Sequence, residues 1–328
     1  MLYKDFQSFN KDFIKHKARW KSKDNRIGHY PEKTRRAMLG ALIDEKAHTA
    51  YKAQLAKNPL VEAAPKFTQE VDWRQGNHVS SVKDQYGCGA CASFSVTAMV
   101  ESMVSIERAG LKIDLSEADL HFCSSHGATC AGWYVEAALK QAQTRGITEE
   151  ECFPYDSLLQ TPPGQTLPTV VPQCILSPDR DAKAVKIKTS VKLNSMTDRK
   201  NHLTNIGPCV ATFRIYEDFF WYGGDIYHHV SGSYEGNHAV LVIGFSEQGR
   251  YWLCKNSWGP DWGDSGYFKI AYKDRDTLFD DYPFYGAKNV ILPQEAPEGQ
   301  KTKKGFFFKL LQVLLRFLQR LPFVRKKS

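Results

Sequence analysis

The hydrophobic period of this 328-residue chain changes once, at Gly207-Pro208. Upstream, Phe94, Val96, Ala98, Met99, Val100, Met103 and Val104 follow Cys91 at helix-compatible spacing until Arg108 and Gly110 supply a stop. Downstream, Cys209 to Phe213, Ala239 to Phe245 and Tyr251 to Lys255 are apolar or β-branched runs, and Ser246 to Arg250 makes a hairpin between the last two. A helical half followed by a β-rich half predicts the two lobes of an α+β protein. With 42% hydrophobic and 24% charged residues, the composition is that of a soluble globular protein with a sizeable core.

The loop Gln85-Tyr-Gly-Cys-Gly-Ala-Cys91 feeds the first of these helices, so Cys91 sits at a helix N-terminus, where unpaired N–H groups and the macrodipole favour a thiolate. Taken alone, Cys88-Gly-Ala-Cys91 reads as a redox pair, half of a zinc site or two structural cysteines just as well. A catalytic cysteine also needs a histidine and a residue that orients it. A second helix start follows at Leu115-Ser116-Glu117, with Ser116 as N-cap. His121, Cys123, His126 and Cys130 come next; they read as zinc ligands only by taking cysteines from any disulfide framework, and neither metal nor cofactor is expected. Cys130-Ala-Gly-Trp133 opens a further helical run, and four prolines between Thr161 and Cys174 mark an irregular connection.

The flanks are basic and the centre acidic. Residues 1–66 carry 15 Lys+Arg against 7 Asp+Glu, residues 294–328 carry 9 against 2, and the part between them is at −7. This asymmetry argues against nucleic acid as a partner and for flanks that meet the acidic centre or an anionic surface. Leu2, Phe6, Phe9, Phe13 and Trp20 recur on one face and predict an amphipathic helix; a second helix is expected after Pro31, through Ala37, Met38, Ala41 and Leu42 to about Leu55. Charges throughout Met1–Trp20 leave no signal peptide visible, and localisation is unassigned. Asn58 to Glu70 reads as a linker. In the tail, placing residues 306–321 on a helix gathers Lys309, Gln312, Arg316, Gln319 and Arg320 on one narrow arc and every Phe, Leu and Val on the rest. Sixteen residues reach about 24 Å, too short to span a bilayer, so the tail reads as a helix lying on an anionic membrane surface or packed on protein.

Two segments of the β-rich half complete the set that Cys91 requires. Asn237-His238-Ala239-Val240 places a histidine at the head of a strand, and Lys255-Asn256-Ser257-Trp258-Gly259-Pro260-Asp261-Trp262-Gly263-Asp264-Ser265-Gly266-Tyr267 follows the hairpin. With Q-x-x-C-G-x-C at 85–91, these segments resemble the papain-like cysteine peptidases (papain and cathepsin type) over roughly residues 70 to 290. The resemblance implies a papain-like two-lobed fold, a helical lobe followed by a β-barrel-like lobe with the active site in the cleft between them. With the linker and charge pattern read above, the chain divides into a helical prosegment or accessory domain at 1–66, a catalytic domain at 67–293 and the basic tail at 294–328, which the resemblance does not cover. The resemblance makes Cys91 the nucleophile, His238 the base and later acid, Asn256 the group that orients the imidazole, and Trp258 the shield of that hydrogen bond. Gln85 and the Cys91 backbone N–H become donors to the oxyanion, and Gly132 and Trp133 line the substrate cleft.

The implied activity is endopeptidase hydrolysis of polypeptides through a thioester acyl-enzyme, by a chain made as a zymogen whose residues 1–66 inhibit it. A papain-fold binding protein without turnover and a Cys-dependent acyl transferase are the competing readings. The chain departs from the family in Ala92, where Trp is usual, in Ala90, where Ser is usual, and in Trp133, which replaces the second glycine of Cys-Asn-Gly-Gly. By the family pattern Cys88 pairs with Cys130, and Cys123 takes Cys174 in preference to Cys152. Cys209 and Cys254 are either bridged or buried as free thiols.

Overall fold

The computed structural model describes residues 3, 5–57, 64–124, 127–155, 174 and 176–293. The tail helix read at 306–321, His126 and the connection at 161–173 lie outside the described residues.

The N-terminal part wraps the rest of the chain. Helix α1 (Phe6–Lys15) starts at a capping box between Asp5 and Ser8 and buries Phe9 and Phe13. Phe9 stacks on Trp221, Phe13 packs edge-on to Trp20, and the Trp20 indole donates to the His228 carbonyl at 2.9 Å; Trp20, expected on the same helical face, lies past the helix end at Lys15 and reaches the core of the β-rich half from the following segment. Where the spacing predicts one helix from Pro31 to about Leu55, the structure has two. Helix α2 (Glu32–Ala37) ends before Met38 and helix α3 (Glu45–Lys57) starts at Glu45. Between them the chain is extended, because Gly40 and Ala41 form bridges to Asn237 and Trp133 that no local preference could foretell.

Helix α4 (Cys91–Glu107) is buried along nearly its whole length, as its all-round apolar sequence requires. Arg108 caps it, and Gly110, at φ +85°, turns the chain back with its N–H on the Ser105 carbonyl. Helix α5 (Glu117–Phe122) is capped by the Ser116 side chain, and helix α6 (Val135–Thr144) follows Trp133. Together they form one core with the near face of the sheet, built from Val96, Val100, Val104, Leu139, Leu241 and Ile243 among others.

The sheet runs in the order β3 (Lys186–Leu193), β10 (Phe284–Ile291), β4 (Cys209–Tyr216), β7 (Tyr234–Ser246), β8 (Tyr251–Lys255), β9 (Tyr267–Ala271) and β6 (Ile226–Tyr227), with β2 (Glu70–Asp72) also paired to β7. Its strands are antiparallel except for the β6–β9 pair. A separate short pair joins β1 (Lys21–Ser22) to β5 (Tyr222–Gly224), stitching the N-terminal part to the β-rich lobe. Helix α7 (Met196–Asn205) lies between β3 and β4 and opens with a capping box of Ser195 and Asp198. Disulfides close between Cys88 and Cys130 and between Cys123 and Cys174, whereas Cys91, Cys152, Cys209 and Cys254 are free. Cys209 and Cys254 lie on β4 and β8, fully buried, and burial pushes both thiols up. Cys123 and Cys130 therefore serve two different disulfides.

Candidate active site

The start of α4 and the edge of β7 meet at the cleft. Cys91 opens the helix, with the backbone N–H groups of Ala239, Gly40, Ala92 and Cys91 itself close by its thiol. Those donors favour the thiolate, but complete burial outweighs them and pushes the thiol up to about 11. His238 lies on β7, one residue before Ala239, with no exposed surface. Its Nε2 and the Asn256 Oδ1 are 2.8 Å apart, and that oxygen also accepts the Ser257 N–H at 2.8 Å. Burial depresses the imidazole to about 4, against the opposing pull of the Asn256 hydrogen bond. The other ring nitrogen, Nδ1, has no hydrogen-bond partner among the described residues. The Trp258 indole, itself fully buried, lies 4.8 Å from the imidazole, ring centre to ring centre.

Gln85 is fully buried, and its side chain is fixed at both ends: Oε1 accepts from the Ser257 hydroxyl at 2.6 Å, and Nε2 donates to the Cys88 carbonyl at 2.7 Å and to the Met38 carbonyl at 2.9 Å. The Met38 oxygen belongs to the segment between α2 and α3. That segment threads the cleft: the Ala41 N–H donates to the Asn237 carbonyl at 3.2 Å, the Trp133 N–H to Gly40 O at 2.8 Å, and the Leu42 N–H to Trp133 O at 3.0 Å. Gly40 passes so close to the loop before α4 that a Cβ on it would lie 2.0 Å from the Gly89 carbonyl oxygen. Gly132, at φ +127°, takes the same peptide from the other side; a Cβ there would lie 2.4 Å from Gly40 O. The covering chain is the reason why neither Cys91 nor His238 is exposed.

Trp133 pairs through its backbone with Gly40 and Leu42 and turns its indole into the core, where it is 1% exposed and edge-on to His121. Ala92 is buried in the same core. Electrostatics hold the N-terminal part on the catalytic half: Arg36 pairs with Glu235 at 2.8 Å, Arg35 with Glu217 at 3.8 Å, Arg214 with Glu45 at 3.3 Å, and Arg26 with Asp84. The basic flank thus meets the acidic centre. The sequence reading missed Met38, Gly40, Ala41 and Leu42 as cleft residues; the available signal was a glycine inside an otherwise helical run.

A thiol at a helix N-terminus and an imidazole held by an amide make a donor set suited to acyl transfer. The family model described as papain family cysteine protease matches residues 67–286. The chain belongs to the papain family of cysteine proteases. It is 30% identical over 266 residues to the gut-specific cysteine proteinase of Caenorhabditis elegans, covering 74% of this chain and 80% of that one. It is 32% identical over 228 residues to pro-cathepsin H of Mus musculus, covering 65% of this chain and 63% of the relative. Among solved structures, proCathepsin B S9 from Trypanosoma congolense superposes with a TM-score of 0.71 at 21% identity, over 86% of this chain and 98% of that one. The digestive procathepsin L 3 of the Tenebrio molitor larval midgut gives 0.65 at 24% identity, over 85% and 86%. The papain-like α+β fold of this protease is therefore shared with precursor forms.

Proposed function

We propose that this papain-family protease is an endopeptidase whose nucleophile is Cys91, with His238 as its base and later acid, Asn256 as the orienting group and Gln85 as an oxyanion donor. The observation that carries the reading is the His238–Asn256 bond of 2.8 Å, which leaves Nδ1 unpaired, in a chain whose buried free thiol, Cys91, opens helix α4. In the uncovered site, proton transfer from Cys91 to His238 gives a thiolate beside an imidazolium, and the sulfur attacks the scissile carbonyl carbon. The oxyanion is stabilised by Gln85 Nε2 and the Cys91 backbone N–H, and His238 returns the proton to the leaving amine as the C–N bond breaks. Water, deprotonated by His238, then attacks the thioester, releasing the carboxylic acid and the thiol.

Residues 1–66 act on the same chain as an inhibitory prosegment. With Met38 O on the Gln85 amide and Gly40 over the thiol, the oxyanion donor and the nucleophile are both engaged, and burial favours the neutral thiol and neutral imidazole over the ion pair. Residues 306–321 carry the tail's contact with an anionic membrane surface, on the strength of their segregated charge.

Turnover of a fluorogenic peptide under reducing conditions tests the reading. A chain beginning at Ala64 should be active, the uncut full chain slow, and the Cys91→Ala and His238→Ala chains inactive. Full activity in Cys91→Ala would refute the assignment of the nucleophile, and equal activity of the long and short chains would refute the inhibition.

A further inference from the structure

Helix α7 holds a stretch of backbone that lies between the N-terminal part and the catalytic sheet. Three side chains of its last turns, Asn201, Thr204 and Asn205, lie at positions i, i+3 and i+4 and so share one face. Each of them meets the backbone of residues 64–68. Asn201 Nδ2 donates to the Ala64 carbonyl at 3.2 Å and its Oδ1 accepts the Lys66 N–H at 2.7 Å. Asn205 Nδ2 donates to the Lys66 carbonyl at 2.8 Å, and the Thr68 N–H reaches the Thr204 hydroxyl at 3.4 Å. One step further along, Phe67 packs edge-on to Phe245 and lies under the Lys200 ammonium at 5.4 Å. Lys200 is itself enclosed by Trp252 and Tyr272 and paired with Glu247, whose backbone N–H holds the Gln69 carbonyl at 2.9 Å.

We propose that this face of α7 is a clamp that fixes where proteolytic processing of the chain stops: the cut that frees the N-terminal part falls before Ala64, and Ala64-Pro65-Lys66 stay on the catalytic unit ahead of Phe67. The proposal rests on the reading of the N-terminal part as a removable prosegment and moves its end back from residue 66 to residue 63 or earlier. A protease takes its substrate as an extended strand whose backbone N–H and C=O groups pair with the enzyme's cleft. The Ala64 carbonyl, both backbone groups of Lys66 and the Thr68 N–H are already paired with amide and hydroxyl side chains, and beyond them Glu70–Asp72 pairs with β7. Cutting within this stretch requires local opening first, and the opening suppresses the rate in proportion to its rarity. Because the clamp reads backbone atoms, it protects the stretch whatever protease approaches. The reaction concerned is hydrolysis: the peptide C–N bond breaks, the carbonyl carbon gains the hydroxyl of a water and the departing amine gains its proton.

The test uses the full chain carrying Cys91→Ala, digested briefly with subtilisin, and reads the N-termini of the catalytic fragment by mass spectrometry. New ends should fall at Ala64 or earlier and be absent from residues 65 to 70. In the same chain carrying also Asn201→Ala and Asn205→Ala, ends within 65–70 should become at least about tenfold more abundant. Ends within 65–70 in the chain with α7 intact overturn the clamp. So does an unchanged pattern in the triple variant, provided its thermal unfolding remains cooperative; if that variant does not fold, Thr204→Val, which removes a single hydroxyl, takes its place under the same criterion. Subtilisin needs no activity from this chain, so a wild-type protein without peptidase activity would sink the catalytic reading and leave this result standing.

Discussion

Gly40→Ala should unseat the segment that covers the thiol. Gly40 is absent from the left-handed region, so alanine suits its backbone and the effect is steric. A Cβ would lie 2.0 Å from the Gly89 carbonyl oxygen, and reaching the 3.4 Å of ordinary contact needs a displacement of about 1.4 Å. Gly89 cannot supply it, because its N–H is bonded to the Cys130 carbonyl at 3.0 Å and the neighbouring Cys88 is tied to Cys130 by a disulfide. The shift therefore falls on residues 38–42, whose bonds at Met38 O, Gly40 O, Ala41 N and Leu42 N are 2.8–3.2 Å long and break when lengthened that far. Losing three of these at about 1 kcal/mol each weakens the seating by about 3 kcal/mol, roughly 100-fold. The assay is alkylation of Cys91 by iodoacetamide in the uncut chain, with peptide mapping to separate it from the other free cysteines and intact mass to exclude cleavage. The variant should react about 100-fold faster than the natural sequence. A rate within twofold of the natural sequence would show that Gly40 does not hold the cleft shut.

Removing the Gln85 amide (Gln85→Ala) in the chain beginning at Ala64 should lower kcat by about 100-fold or more with little change in KM, and Asn256→Ala should leave weak activity, both read from peptide turnover. The pH dependence of α3 docking follows from His48, whose ring lies against Tyr282 and whose pKa is lowered by burial and by Lys52. The docked state binds fewer protons than the free one, so docking is favoured above about pH 6.5 and weakens as pH falls through the free value. Hydrogen exchange at 47–57, corrected for its intrinsic rate, should show less protection at pH 5 than at pH 7, with a smaller difference in His48→Gln. The full chain should float with anionic liposomes at low salt and a chain ending at Pro297 should not; equal flotation of the two would end the membrane reading of the tail.

The parts of the fold that were legible in the sequence are those governed by local chemistry. Ser116 caps α5 because its hydroxyl reaches the Asp119 N–H, and Ser246 to Arg250 turns between β7 and β8 because both flanking runs have strand periodicity. The cleft-crossing segment was not legible. Ala37, Met38, Ala41 and Leu42 have helical spacing, yet the helix stops at Ala37 and the buried Met38 and Ala41 belong to a stretch of chain whose partners Trp133 and Asn237 are about 90 and 200 positions away in sequence. The α7 clamp escaped for a related reason: asparagines in a helix carry no sign that they face a distant backbone. The ring nitrogen of His238 that Asn256 holds, and the hydroxyl that fixes Gln85, are likewise matters of tertiary placement.

The sulfur chemistry of this chain makes two opposite demands. Cys88, three residues before Cys91, must be oxidised to Cys130, while Cys91 must emerge as a free thiol. Thiol–disulfide exchange proceeds through the thiolate, and a thiol held at about 11 is ionised at neutral pH in roughly one molecule in ten thousand. Enclosed beneath Gly40 and out of reach of solvent oxidants, Cys91 is masked much as a chemist masks a reactive group while its neighbour is being joined. While it stays seated, the covering segment thus serves as a protecting group, keeping the free thiol away from the disulfide three residues upstream.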